Sequence, residues 1–365
     1  MRRASGAVAL LAGAGAVLAL VAPGAGAATR APASPVLFDV PSPSVPMRDV
    51  VLRTPSATAS RSLATASGRR YPVNDGRGRS VEINVTDACR VTCSAANPQQ
   101  LANFLGTTAH GDEMNILRID VVTPSPGEMD VICGANVLAC YFAAQDRIVL
   151  AGENEARGGL TQTFLLAHEY GHHLANHRLN PPFRPTIYYG TKRWASLERV
   201  CQGARQGRYT PGATDEDGYW TNPGEAFAES FAFARFPRSP VQWEWVESLR
   251  PNAAAFAAIR RDALRPWTRR ARISVRDELR GGAGVAVHRV RTPLDGVLTL
   301  RLAGPRGSDF DLLLRDAAGR TLRSSERAGP NERLTFLVCG QARFRAVVKR
   351  DKGPGGEYRL IARRP

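Results

Sequence analysis

"LLAHEYGHHLANH", residues 165–177, holds four of the chain's six histidines: His168, His172, His173 and His177. Successive residues of an α-helix turn by about 100°, so residues four apart lie only about 40° apart on its surface. His168 and His172 therefore point the same way and can grip one ion. Glu169 sits one step round, close enough to reach water beside that ion without ligating it. This is the physical logic of H-E-x-x-H, in which two imidazoles bind Zn²⁺ and the glutamate is the general base. His173 and His177 are also four apart but lie roughly behind that face, as surface histidines or as partners of a later segment. A second metal there is a weaker alternative.

A catalytic zinc takes three protein ligands and keeps one position open. The next suitable acids are Glu225 and Glu229 in "TNPGEAFAESFA". They too share a helix face. Glu225 is read as the third ligand. Glu229 is read as the acceptor of a hydrogen bond from the far nitrogen of a ligand histidine, which fixes the tautomer. A capping box from Asn222 is the bland role for Glu225, and a solvated charge is the bland role for Glu229. Phe227, Phe231 and Phe233 with the alanines between them predict a largely buried helix, where an unpaired carboxylate is costly.

The surrounding chain reads as an α+β domain. "RSVEINVTDAC" and "MNILRIDVV" alternate as strands, and "DVICGANVLACYFAAQDRIVLAG" reads as strand, turn and strand. "DRIVLAG" is the candidate edge strand, able to hold an extended peptide by backbone hydrogen bonds. "NPQQLANFLG" and residues 159–177 read as helices, as does "NPGEAFAESFAFARF" behind Asn222 and Pro223. "PVQWEWVESL" and "NAAAFAAIRRDAL" are expected as closing helices. After a charged join near residue 268, short alternating runs separated by Gly, Pro and Asp predict a β-sandwich.

Four regions follow. Residues 1–27 resemble a signal peptide: Arg2 and Arg3, the apolar run "AVALLAGAGAVLALVA", then small residues up to Ala27. Residues 28–75 read as a linker or pro-segment, 76–268 as the zinc domain, and 269–365 as the sandwich. Cleavage near Ala27 would leave no membrane anchor and a secreted, extracellular protein. Six cysteines in an exported chain favour disulfides. The simplest bonds are Cys89–Cys93 and Cys133–Cys140, with Cys201–Cys339 as the remainder, bridging the domains.

The formal charge is +16, yet only three of the 49 basic residues are lysines. That arginine bias reads as coding composition, and no aromatic-interleaved basic stripe appears, so no nucleic-acid partner is expected. An acidic surface or polymer remains a partner that charge alone would attract.

"HEYGHHL" followed by "NPGEAFAESFA" resembles the gluzincin zinc metallopeptidases, with the lethal-factor-like group nearest and the thermolysin-like enzymes sharing the plan. The match spans two helices. The resemblance implies His168, His172 and Glu225 as zinc ligands, Glu169 as base, Glu229 as the supporting acid, and a protein or peptide substrate. Lethal-factor-like enzymes also carry a tyrosine just before the third-ligand helix that stabilises the developing oxyanion. Tyr219 lies there, one residue nearer to "TN" than in that pattern; His177, Tyr188 and Tyr189 are alternatives. Aspzincins instead use an aspartate shortly before a tyrosine, and "GATDEDGYW" offers Asp215 or Asp217 as the rival third ligand. A zinc amidase acting on cell-wall peptide needs the same residues, and a non-catalytic binding protein on this scaffold is the third reading. Residues 270–365 resemble bacterial pre-peptidase C-terminal domains through "SDFDLLLRD" and "GGEYRLIARR". Some of these bind Ca²⁺, which would fall to Asp309 and Asp311.

Overall fold

The computed structural model describes residues 48–52, 68–135, 137–153, 160–214, 216–280 and 284–365. The signal-like residues 1–27 and most of 28–75 lie outside the described residues.

The first domain is built on β1 (Arg48–Leu52), β2 (Arg69–Pro72), β3 (Ser80–Val85), β4 (Arg118–Val122), β5 (Val137–Phe142) and β6 (Arg147–Ala151). Their order in the sheet is β1-β5-β6-β4-β3-β2. β3, β4 and β6 are parallel, β5 runs antiparallel to β6, and β1 lies parallel along β5. "DRIVLAG" is thus a central strand and not the expected edge. Its apolar run is buried on both faces, the mark of an interior strand. The edges are β1 and β2, both from the stretch read as linker or pro-segment. β2 buries little. It is tied by its ladder to β3 and by Arg70, which donates 2.7 Å to the carbonyl of Asn115.

Short helices α1 (Asp87–Thr92), α2 (Pro98–Gly106) and α3 (Glu128–Ile132) connect these strands. α3 overlaps the run "DVIC", expected as strand. The long helix α4 (Gln162–Asn176) starts behind Thr161, whose hydroxyl accepts from Phe164 N. α5 (Lys192–Leu197), α6 (Val200–Arg205) and α7 (Glu216–Tyr219) lead to α8 (Pro223–Arg235), and α9 (Ala253–Leu264) closes the domain. "PVQWEWVESL" forms no α-helix; only Glu247–Leu249 makes a 3₁₀ turn. Pro240 and a cluster of tryptophans and valines disfavour helix there, and Trp243 and Trp245 pack as a wall instead.

α4 crosses α8 closely. A Cβ on Gly171 would come within 2.8 Å of the Ala228 Cα. That approach brings the "HEYGH" face of one helix against the acids of the other.

The second domain has two four-stranded sheets. One is ordered β11 (Thr321–Ser325), β10 (Asp309–Arg315), β13 (Ala342–Lys352), β8 (Val285–Thr292); the other β12 (Asn331–Val338), β9 (Gly296–Ala303), β14 (Gly356–Arg364), β7 (Ala271–Leu279). They share an apolar core that includes Leu300, Phe310, Leu312 and Leu360, so the pair is a β-sandwich. The expected charged join is itself the strand β7: Ile273 and Val275 point inward between outward arginines, and the charges mask the alternation.

All three disulfides suggested by the spacing are present: Cys89–Cys93, Cys133–Cys140 and Cys201–Cys339. The last ties α6 to the sandwich. Beside it, Asp295 N donates 2.9 Å to Ser196 Oγ. Such bonds belong to an oxidising compartment. Among the described residues no helix is long and apolar enough to cross a membrane.

Candidate metal centre

His168 and His172 sit one turn apart on α4, and Glu225 enters from the first turn of α8. The Nε2 atoms of the two histidines are 3.2 Å apart, and Glu225 Oε2 lies 3.1 Å from His172 Nε2 and 3.5 Å from His168 Nε2. Donors held about 2.0–2.2 Å from one tetrahedral Zn²⁺ stand roughly 3.3–3.6 Å from each other. The three separations fall close to that edge length. All three side chains are buried.

The protonation states suit a cation. Burial holds the His172 imidazole below its usual pKa, only partly opposed by Glu225. Burial would raise Glu225, but His172 and His168 outweigh it and hold the carboxyl down at about 2. Neutral imidazoles beside a carboxylate are the forms that bind metal. Glu225 has the two imidazoles as its partners, and all three present donor atoms toward one point. The residues present therefore fit a divalent transition metal of zinc's preferences.

Glu225 makes no capping box. Asn222 caps α8 through its own side chain, and its backbone N–H goes to Tyr219 O. Glu229, one turn on, is also buried, and its Oε2 lies 2.8 Å from His168 Nδ1. With the carboxylate accepting, Nδ1 carries the proton and the lone pair of Nε2 is left facing His172 and Glu225. Glu169 is fully buried on α4, next to His168.

An aromatic wall closes one side. The Trp245 ring stands 6.0 Å from the His168 ring and 6.2 Å from that of Tyr219. Tyr219 is thus buried one ring away from His168. Nothing in the sequence marks Trp245, because "QWEW" carries no periodicity. Asp215 lies outside the described residues, and the side chain of Asp217 is not described.

His173 and His177 turn away from this centre. His173 is buried rather than at the surface: its Nε2 donates 3.0 Å to the Glu113 carbonyl. Burial lowers its pKa to about 4. His177 Nε2 lies 2.6 Å from Asp146 Oδ1, at the β5–β6 hairpin. Asp146 adopts φ 52° at that hairpin. Asp146, His173 and His177 form a second group with converging donor atoms. Their separations are uneven: 2.6 Å to His177 but 3.7 Å to His173. Tyr141 Oη is 3.0 Å from His173 Nδ1 and 3.1 Å from Asp146 Oδ1. That is the spacing of a hydrogen-bonded network. In the sandwich, Lys349 Nζ lies 3.1 Å from Asp311, and Asp309 Oδ1 accepts from Gly329 N, so these two carboxylates already have partners.

No family model matches the chain, and no curated protein matches it. Solved structures with partial likeness include the pre-peptidase C-terminal domain of a Bacillus anthracis collagenase, at 13% identity and TM-score 0.23, over 24% of this chain and 87% of that one. The Yersinia pseudotuberculosis-derived mitogen follows at 13% identity and TM-score 0.22, over 26% and 87%. A periplasmic lysozyme inhibitor of Aeromonas hydrophila matches at 8% identity and TM-score 0.19, over 26% and 85%. Scores this low carry no functional inference.

Proposed function

We propose that the chain is a secreted zinc-dependent peptidase of gluzincin type. The observation that carries this reading is the convergence of His168, His172 and Glu225 at 3.1–3.5 Å with Glu169 adjoining on the same helix. A bound Zn²⁺ supplies Lewis-acid polarisation of the scissile carbonyl and acidifies water.

The chain's own residues do the rest. Glu169 takes the proton of the attacking water and later delivers it to the leaving amine. Glu229 holds His168 in the tautomer that leaves Nε2 free to ligate. Tyr219, set in the wall with Trp245, is the donor to the developing oxyanion. Burial of both helices excludes bulk water, which strengthens each of these interactions.

Glu169→Gln keeps the size of the side chain and removes its basicity. It should retain zinc and lose about 10²–10⁴ or more in hydrolysis of casein. Near wild-type turnover in that variant would refute the mechanism. Casein and purified cell wall, assayed with and without chelator, separate a peptidase from a cell-wall amidase and from a non-catalytic binder.

A further inference from the structure

The formal charge is unevenly placed. Residues 269–365 hold 22 of the 49 Lys and Arg but 10 of the 33 Asp and Glu, so +12 of the +16 falls on the sandwich. On the outer face of the β12-β9-β14-β7 sheet, arginines stand directly opposite arginines. Arg333 faces Arg301, Arg359 faces Arg276, and Arg363 faces Arg272. All six are exposed, and none is within ion-pair distance of a carboxylate among the described residues. Like charges placed directly across a ladder destabilise a sheet. Three such pairs on one face are a cost that folding alone does not explain.

We propose that this face is a docking surface for a linear acidic polysaccharide. Neighbouring strands are about 4.8 Å apart, and same-face residues along a strand about 6.8 Å. The six guanidinium groups therefore cover a patch roughly 14 Å across, with charges repeating at the scale of one sugar ring. Guanidinium forks bind carboxylates in pairs of parallel hydrogen bonds. Within the patch, Arg301, Arg327, Arg333 and Arg359 line a shallow depression of about 430 Å³ with Glu332, whose carboxylate already accepts from Ser325 Oγ and Arg327 N. The residues between the arginines are Thr299, Thr335, Ser274, Ile361 and Ala303, none of them aromatic. A base-stacking platform is thus missing from this face. The acids of this face, Glu278 and Glu357, face each other at its far end. The opposite sheet also carries arginines, Arg289 and Arg291 against Arg345 and Arg343, but there Asp311 and Asp351 flank Lys349.

The test uses the full chain with polygalacturonate as probe. Binding is followed by fluorescence anisotropy across 50–200 mM NaCl. Arg301→Gln combined with Arg276→Gln and Arg359→Gln should weaken binding at least tenfold and flatten its salt dependence. The same variant should melt at or above the wild-type temperature, because it relieves like-charge contacts. Arg289→Gln with Arg343→Gln and Arg345→Gln, on the other sheet, removes equal charge and should weaken binding less than threefold. Equal loss in both variants would reduce the effect to net charge and overturn the assignment. So would a lowered melting temperature in the first variant, or tighter binding of duplex DNA than of polygalacturonate at matched charge.

Discussion

The carboxylate of Glu229 lies 2.8 Å from Nδ1 of His168, joining the helix that carries H-E-x-x-H to the helix that carries Glu225. Both groups are buried. A carboxylate in this position orients its histidine and raises its basicity as a ligand. Glu229→Ala should keep the fold and weaken zinc binding by about 10- to 100-fold, read by competition with a chromogenic chelator. Unchanged affinity would remove Glu229 from the site.

Gly171 sets how closely the two helices approach. Any Cβ there would meet the Ala228 backbone at 2.8 Å, and backbone cannot swing aside. Gly171→Ala should destabilise the protein by about 1–3 kcal/mol in urea unfolding. It should also lower zinc affinity, since Glu225 moves with α8. A variant as stable and as tight as wild type would show that the crossing is looser than described.

Behind α4, Glu113 is buried against Arg178 at 2.8 Å and accepts from Tyr170 Oη and Gly111 N, each at 2.7 Å. Burial would raise its pKa, but Arg178 and these donors hold it below the usual carboxylate range. Glu113→Ala would leave Arg178 buried without its partner. The expected loss is about 3–5 kcal/mol, measured by urea unfolding. A loss below about 1 kcal/mol would mean that water reaches this pair.

Asp295 sits where the sandwich meets α5. It accepts from Gly340 N, while its Oδ2 is buried without a hydrogen-bond partner. Burial raises its pKa from 3.8 to about 6, with Gly340 and Lys192 opposing. The folded protein therefore holds this proton more tightly than the unfolded chain. The stabilisation is full below about pH 4 and is lost as pH rises through about 6. Asp295→Asn should flatten the stability profile between pH 4 and 7. An unchanged slope would place the titration elsewhere.

Much of the candidate site was legible because helical periodicity is a strong constraint. Four-residue spacing put His168 with His172 and Glu225 with Glu229, and the apolar residues around the acids implied burial. The rest depended on long-range packing. "DRIVLAG" is central and not the expected edge, because an apolar run does not say which strands flank it. β2 and β7 are hidden in the sequence because arginine covers their exposed positions, and their pairing partners lie elsewhere in the chain. Trp245 comes from a segment that looked helical and is held by ring packing. His173 looked like a surface residue because nothing nearby in sequence foretells the Glu113 carbonyl that receives its proton.

Elemental analysis of purified protein, paired with Glu225→Ala, tests the central claim most directly. The wild-type chain should carry one zinc, and Glu225→Ala should be largely zinc-free after dialysis while Glu169→Gln keeps its metal. A wild-type chain that binds no zinc, or a Glu225→Ala variant that retains a full equivalent, would contradict the metal centre described.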